Sequence, residues 1–446
     1  MINEVSNEAT SLEKATLETV LNDEAFVGIH FLNGEFSIKF PLGYHLDEYN
    51  QNTNERLLEL EKRKDILLLI NVLSHYKNEY ISHKETDQKL DKKDNLFPIY
   101  AYMFVYKFYK KYGYYIPKLN IYKKSTSGKI NWNRTIKSQK PIITNGNIVY
   151  LDTIRNKTFY DEKELITLIN KYCVYQSYLK IGCLFSLKLV KKQQLPISNK
   201  SCIRFLKKKI QTTFNNDEIN LFKNMIKILE QESNDSDNNE YYFGTTSFHT
   251  VFEAMINDYY GENRKIREEY NPKLRWYDKN GQRISKQSST LRPDTIAFSP
   301  KNVNIPEKVF ILDSKYYKGS VNLDDGNLPL SESVPKQIVY SNWAINKKNN
   351  EGKNVFNAFI MPDDLTNNND AIYEKGIKVL YYGYVRPEWL SDEEFLDKNK
   401  PYNRIQGIKI DTKTLMKNYA RRNINDYNAL LSLIEKEADN LNKCNT

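Results

Sequence analysis

An α/β C-terminal domain with a mixed sheet flanked by helices, preceded by a mainly helical α+β N-terminal region, is the fold class this sequence predicts. Three observations carry it. After residue 241, helix-period stretches alternate with strand-like apolar runs. Before about residue 155, amphipathic helices stand beside two Asn-Gly turn signals. Between these halves, Glu230-Gln-Glu-Ser-Asn-Asp-Ser-Asp-Asn-Asn-Glu240 contains no apolar residue and reads as an interdomain linker. The expected organisation is therefore a binding region over 1–229, a linker over 230–240 and a catalytic domain over 241–446.

The N-terminal region opens with Ala25–Leu32 and Glu35–Phe40 around Asn33-Gly34, a strong hairpin pattern. Helices follow at about 53–80 and 97–112, with a short helical stretch near 131–137. Ile142-Ile143 and Ile148–Tyr150 around Asn145-Gly146 form a second hairpin. Helices followed by a hairpin is the order of a winged helix-turn-helix, placed here at about 53–155, in which a helix enters the major groove of DNA. Lys123, Lys124, Lys129, Arg134, Lys137 and Lys140 surround Trp132. Basic side chains neutralise phosphates and Arg134 or Asn133 can read base edges, so Lys129, Trp132, Asn133, Arg134 and Lys137 are the DNA-binding candidates. The bland alternative is a solvated basic loop with Trp132 in the core. A second basic cluster, Lys188, Lys191, Lys192, Lys200, Arg204 and Lys207 to Lys209, fits either a backbone track or a solvated face.

In the C-terminal domain, Ser247–Tyr260 places Phe248, Val251, Phe252, Met255, Ile256 and Tyr259 at helical spacing, with Glu253 on another face. Strands are expected at Leu274–Tyr277, after Asp294 and over Val309–Leu312, with a turn at Lys279-Asn280-Gly281. A helix over Val334–Ile345 and strands at Asn354–Met361 and Ile377–Val385 complete the core.

Arg292-Pro293-Asp294 and, nineteen residues beyond Asp294, Asp313-Ser314-Lys315 carry the chemistry. Hydrolysis of a phosphodiester builds negative charge on phosphoryl oxygens. A hard cation such as Mg²⁺, bound through one or two carboxylates, neutralises that charge and lowers the pKa of a bound water. Asp294 and Asp313 supply the oxygens. Lys315 falls on the same strand face as Asp313, because side chains alternate with period two, and can orient or help deprotonate the attacking water. Ser314 points the other way, with its carbonyl still available to a metal.

The tripeptide alone has little specificity. Asp411-Thr412-Lys413, preceded by Arg386-Pro387-Glu388, copies the whole pattern. Thr-Ile-Ala-Phe after Asp294 is strand-like, whereas Trp-Leu-Ser-Asp-Glu-Glu-Phe after Glu388 is helix-like. The apolar run before Asp313 suggests a strand buried on both faces, while Gly407-Ile-Lys-Ile alternates like a half-exposed one. Context therefore selects 294/313/315. Singly, Asp294 also suits a post-proline turn and Asp313 with Lys315 a same-face ion pair. Glu253 also fits a solvated helix face, Gln337 an exposed amide, and Tyr316 and Tyr317 packing.

A helix bearing Glu253, then Pro-Asp, Asp-x-Lys and a helix carrying Gln337 resembles the PD-(D/E)XK nuclease superfamily over about residues 245–385. Gly28-Ile-His-Phe-Leu-Asn-Gly34, Asp65-Ile-Leu-Leu-Leu69 and Gly128-Lys-Ile-Asn-Trp-Asn-Arg-Thr-Ile136 resemble LlaJI-type restriction endonucleases. The resemblance implies a Mg²⁺-dependent, type II-like restriction endonuclease that cuts double-stranded DNA to 5′-phosphate and 3′-hydroxyl ends. It implies Asp294 and Asp313 as metal ligands, Lys315 as catalytic lysine, and Glu253 as an additional helix-borne acid and ligand. Gln337 with Tyr340 is similar to a glutamine-tyrosine motif of that superfamily, here one residue shorter in spacing. It also implies a cognate DNA methyltransferase and a McrB-like GTPase. No Gly-x4-Gly-Lys-Ser/Thr sequence occurs in this chain, so any NTPase is expected on a separate polypeptide.

Composition sets the outer bounds. At 446 residues, two or three domains are expected. The formal charge of +10 suits a polyanionic partner. Cysteines at 173, 183, 202 and 444 form no Cys-x2-Cys pair and no zinc set with the five histidines. A reduced, cytoplasmic protein is expected, since the start of the chain lacks a signal pattern and no run approaches a membrane span. All histidines precede residue 250, which excludes a His-Asn-His site from the C-terminal half. A structure-specific repair or recombination nuclease, or a non-catalytic DNA-binding regulator, are the competing functions. Cutting both strands with one site per chain requires a homodimer on DNA or two sequential nicks.

Overall fold

Strand-like runs far apart in sequence become neighbours in one mixed sheet, and this long-range pairing organises the molecule. The computed structural model describes residues 15–21, 25–32, 35–46, 55–77, 98–144, 146–160, 163–185, 190–234, 240–284, 289–300, 307–317, 328–329, 331–347, 354–374, 376–421 and 428–440. The Asn33-Gly34 tip, Asn145, Lys188 and the linker residues 235–239 lie outside them.

In chain order the first elements are β1 (Thr16–Thr19), β2 (Val27–Leu32), β3 (Glu35–Phe40), α1 (Glu55–Tyr76), α2 (Ile99–Tyr112), β4 (Lys118–Lys124), β5 (Lys129–Ile130) and α3 (Trp132–Ser138). Next come β6 (Ile142–Thr144), β7 (Asn147–Val149), β8 (Ile154–Tyr160), α4 (Leu165–Ile181), α5 (Asn199–Gln211), α6 (Asn216–Asn234) and β9 (Glu240–Thr245). The C-terminal part holds α7 (Phe248–Tyr260), α8 (Arg264–Glu269), β10 (Lys273–Leu274), β11 (Ser289–Thr290), β12 (Thr295–Ser299), β13 (Lys308–Ser314) and α9 (Ser333–Lys347). It ends with β14 (Val355–Asp363), β15 (Ile372–Glu374), β16 (Ile377–Val385), α10 (Asp392–Leu396), β17 (Ile405–Asp411), α11 (Thr412–Arg421) and α12 (Asn428–Asn440).

The chain forms two compact units, and their division differs from a single cut at 230–240. One comprises residues 1–12, 32–35 and 95–241; the other comprises 13–31, 36–94 and 242–446. Residues 53–155 are consequently shared, with α1 in the second unit and α2, α3 and the β6–β7 hairpin in the first. The acidic stretch is also not wholly a linker, because α6 runs to Asn234 and β9 begins at Glu240.

Within the first unit, α2, α4 and α6 pack together, α5 lies along α6, and β4-β8-β5 form an antiparallel sheet. The amphipathic period of α5 explains its seat, with Cys202 and Leu206 buried. Asn131 caps α3 by accepting from Arg134 N, and buried Thr135 accepts from Ile154 N at 2.9 Å, which anchors the short helix to β8.

The second unit is built on a six-stranded sheet of order β12-β13-β14-β17-β16-β15. β12 runs antiparallel to β13, β13-β14-β17 are parallel, and β16 and β15 return antiparallel. Val309, Phe310, Ile311 and Leu312 are at most 1% exposed. Each such side chain contributes about 1.5–3 kcal/mol on burial, which makes β13 an anchor of the sheet. Tyr340 and Ala344 of α9 pack with Ile296, Phe298, Val309 and Ile311, while α7 packs on β12 and β13.

Two expectations change here. β17 is buried along its whole length rather than half-exposed, because it lies between β14 and β16. Lys409 is tolerated inside because its ammonium meets Asp363 at 2.8 Å. The Leu274–Tyr277 strand is reduced to β10, which pairs with β11 in a separate two-stranded sheet outside the main one.

A second sheet, β1-β3-β2-β9, falls mostly in the same unit. Gly28 has φ +150°, and a Cβ there would lie 2.3 Å from the Phe243 carbonyl oxygen, so only glycine allows β2 to approach β9 this closely. Leu42, just past β3, donates its N–H to the Tyr316 hydroxyl at 2.8 Å and accepts at its carbonyl from Thr412 Oγ1 at 2.9 Å. The N-terminal strands are thereby tied to the C-terminal sheet.

Candidate active site

Antiparallel pairing of β12 with β13 sets Thr295 opposite Leu312, so Asp294, one residue earlier, falls opposite Asp313. The proline before Asp294 favours extended backbone at the preceding residue, and the buried β12 residues then fix where the carboxylate emerges. Asp294 Oδ2 accepts from Ser314 N at 2.9 Å. Burial pushes the Asp294 carboxyl well above the usual carboxylate range, and the charges of Asp313 and then Glu253 push it further. Asp294 and Asp313 also hydrogen-bond one another. Two carboxyl groups this close share a proton unless a cation separates them.

Lys315 completes the arrangement. Its backbone N–H continues the ladder to Ile360 O at 2.8 Å, although it stands one residue past β13. Its ammonium lies 2.5 Å from Asp313 Oδ2 and 5.6 Å from the centre of the Phe359 ring. Both side chains of the ion pair are mostly buried, at 19% and 13% exposed. Ser314 accordingly faces away, and its buried Oγ has no hydrogen-bond partner among the described residues.

Two further residues, Glu253 and Tyr340, interact with this pair through charge. Glu253 is an exposed residue of α7 whose charge acts on Asp294, yet no group of three or more His, Cys, Asp or Glu side chains among the described residues closes into a metal-holding cluster. Tyr340 donates its hydroxyl to Arg292 O at 3.2 Å, tying α9 to the catalytic strand, and its own pKa is raised to about 12 by burial, then by Asp313 and Asp294. Gln337, one helical turn before Tyr340, is 1% exposed rather than exposed, and both polar atoms of its amide are buried without a partner among the described residues. Tyr316 packs as expected, its ring 5.5 and 5.6 Å from those of Phe248 and Phe252.

The competing 388/411/413 set does not assemble. Glu388 is exposed, Asp411 accepts Thr414 N at 2.7 Å and Leu365 N at 3.2 Å, and Lys413 turns to Asp65 at 3.2 Å.

With this geometry in view, comparison with known proteins identifies the chain. A family model described as LlaJI restriction endonuclease matches residues 37–379, well over half of the 446. The chain belongs to the LlaJI restriction endonuclease family. No curated protein matches it. Among solved structures, a chain from a "Refined half-complex from tetradecameric assembly of Thermococcus gammatolerans McrB AAA+ hexamers with bound McrC" is 14% identical, covering 90% of this chain and 82% of that one, at a TM-score of 0.34. A likeness that loose carries no argument about fold or partner.

Membership of the LlaJI family makes this a restriction-type nuclease with DNA as the implied substrate. The family match takes in both the acid pair and the N-terminal basic segment. Lys129, Trp132, Asn133, Arg134 and Lys137 are all exposed, and Trp132, at 54%, lies outside the core. The Arg134 guanidinium sits 3.9 Å from the centre of the Tyr122 ring, a cation–π contact that orders it at the surface. In the second basic cluster, Lys207 reaches Glu230 at 4.0 Å and Lys209 reaches Glu164 at 3.5 Å, so part of that charge is answered within the unit. Among the described residues no helix is long and apolar enough to cross a membrane. The residue that sequence reasoning undervalued is Arg292, whose carbonyl receives Tyr340; backbone acceptors leave no signal in side-chain patterns.

Proposed function

We propose that this LlaJI-family protein is a Mg²⁺-dependent, site-specific endonuclease that hydrolyses phosphodiester bonds of double-stranded DNA. The observation that carries the reading is the buried Asp294–Asp313 pair with Lys315 bonded to it. The donor set suits the ion: paired carboxyls with Asp294 pushed towards its protonated form are a place where a divalent cation replaces a shared proton. Asp294 and Asp313 would hold Mg²⁺, which supplies charge neutralisation at the phosphoryl oxygens and a water of lowered pKa.

The chain's own residues do the rest. Lys315 Nζ, fixed on Asp313 Oδ2, keeps a cation beside the carboxyl pair, where it orients the attacking water and offsets charge gathering on the phosphate. Tyr340 holds its proton and uses it on the Arg292 carbonyl, keeping the strand end in register. Glu253 adds negative charge near Asp294 from α7. In the other unit, α3 and its basic neighbours serve as the DNA reader. Duplex cleavage follows from pairing of two chains on DNA or from two nicks.

The test is direct. Purified protein with Mg²⁺ cuts duplex DNA at defined positions, excess chelator stops it, and Asp313→Ala abolishes cutting while DNA binding persists. Undiminished cleavage by Asp313→Ala would sink the assignment.

A further inference from the structure

Outside the main sheet, residues 273–284 and the short strand Ser289–Thr290 form a hairpin-like arm that neither the acid pair nor the N-terminal reader uses. Its root is fixed, because Leu291 N donates to Pro272 O at 3.0 Å and Lys273–Leu274 pair with Ser289–Thr290. Farther out, Tyr277 bridges Arg283, Ile284 N donates to Trp276 O at 3.0 Å, and Asp278 N donates to Gln282 O at 2.8 Å. At the tip Gly281 has φ +77°, and a Cβ there would meet nothing within 4 Å.

The composition of this hairpin is unusual for solvent. Leu274, Trp276, Tyr277 and Ile284 are 47%, 72%, 53% and 64% exposed. Lys273, Arg275, Lys279 and Arg283 set four cations against one acid, Asp278, over residues 273–284. That acid is spent locally, since Asp278 Oδ1 accepts Asn280 N at 2.9 Å and Gln282 N at 2.7 Å. The bridge sets Tyr277 opposite Arg283 on one face of the outer arm, and Trp276 and Ile284, joined by their backbone bond, fall on the other. Four residues after Thr290 the chain reaches Asp294, at the entry to β12.

We infer that this hairpin is a second DNA-contacting element, one that grips the duplex beside the scissile phosphate. The inference rests on the nuclease reading above and goes beyond it by assigning the contact to the catalytic unit itself. Charge complementarity selects the occupant: an arm with four cations against one carboxylate, itself held by the tip's backbone, matches a phosphate backbone, while exposed Trp276 offers an aromatic plane to sugars and base edges in a groove. Only four residues separate Thr290, at the root of the hairpin, from Asp294, so a contact made by the arm bears on cleavage as well as affinity.

The experiment compares full-length wild type with Arg275→Ala/Lys279→Ala, Trp276→Ala and the charge-keeping Arg275→Lys/Lys279→Arg, by fluorescence anisotropy on a labelled duplex over a salt series, without divalent metal. The double alanine variant is expected to bind about 10-fold more weakly and to flatten the slope of log K against log salt by about 2, with the charge-keeping pair restoring it. Trp276→Ala is expected to weaken binding about 5-fold with an unchanged salt slope. All the substituted side chains are exposed, so melting temperatures should stay at the wild-type value. Wild-type affinity and slope in both alanine variants, with wild-type cleavage intact, overturn the hairpin alone. Wild type that neither binds nor cuts duplex overturns the nuclease reading with it. Variants that keep DNA binding but change the mass of a complex with a second protein chain also overturn it, and reassign the hairpin to protein docking.

Discussion

Asp313-Ser314-Lys315 and Asp411-Thr412-Lys413 end two strands, β13 and β17, that flank β14 on either side in one sheet. Their letters are nearly the same and their fates opposite. Asp411 has both oxygens answered by backbone N–H groups, one of them at the start of α11, so it is a cap. Lys413 leaves it for Asp65, whose other oxygen accepts the Tyr44 hydroxyl at 2.9 Å. Asp313 instead faces a second carboxyl and its own lysine. An acid-x-lysine pattern becomes a site where carboxylates are brought together and left short of donors, and becomes scaffold where the backbone satisfies them.

The largest expected effect separates the two lysines. Lys315→Ala should lower cleavage by about 10³-fold per folded molecule, over and above the stability it loses by leaving Asp313 without its cation. Lys413→Ala should cost about 3 kcal/mol of stability by stranding Asp65, yet cleave at the wild-type rate per folded molecule. Equal losses of activity from both would break the contrast. Next comes Asp294→Asn. The Asp294 carboxyl is raised in the folded state, so the fold binds its proton more tightly than the unfolded chain does, and stability falls as pH rises from the ordinary carboxylate range through the folded value. Removing the charge should therefore raise the melting temperature at pH 8, have little effect at pH 4, and abolish cutting. A lower melting temperature at pH 8 would contradict the repulsion.

A smaller effect is expected at Gln337. Replacement by Met removes a buried amide whose polar atoms lack partners among the described residues, so stability should hold or rise. Cleavage should fall about 10²-fold with binding retained, if the amide serves the acid pair. Unchanged turnover would leave it a packing residue. Smallest is Arg134→Ala, a surface change far in sequence from the acid pair. It should weaken or relax recognition by about 1–3 kcal/mol at one base position, read by cleavage of substituted duplexes, and leave kcat alone. A change confined to kcat would remove α3 from recognition.

How much of this was legible follows from the same contrast. Val309 to Leu312, followed by Asp-Ser-Lys, announced a doubly buried strand ending at the site, because local apolar content alone determines that. Gly407-Ile-Lys-Ile misled because its lysine is paired with Asp363, from a strand some forty residues away in sequence. Trp132 could be read equally as core or surface, since a single aromatic carries no period. The partition of the chain was the least legible feature. α1 has an ordinary amphipathic pattern, and nothing in that pattern says that its Asp65 is meant for Lys413, 348 residues on.

That last contact has a consequence in time. The segment 13–94, apart from 32–35, is made early but belongs to a body whose remainder starts at 242, and most of the first unit, 95–241, is made in between. Leu42 waits 274 residues for Tyr316 and 370 for Thr412. A chain that stops before α11 has Asp294, Asp313 and Lys315 but leaves the Leu42 carbonyl without Thr412 and Asp65 without Lys413, so the early strands and α1 are only partly tied to the body they belong to.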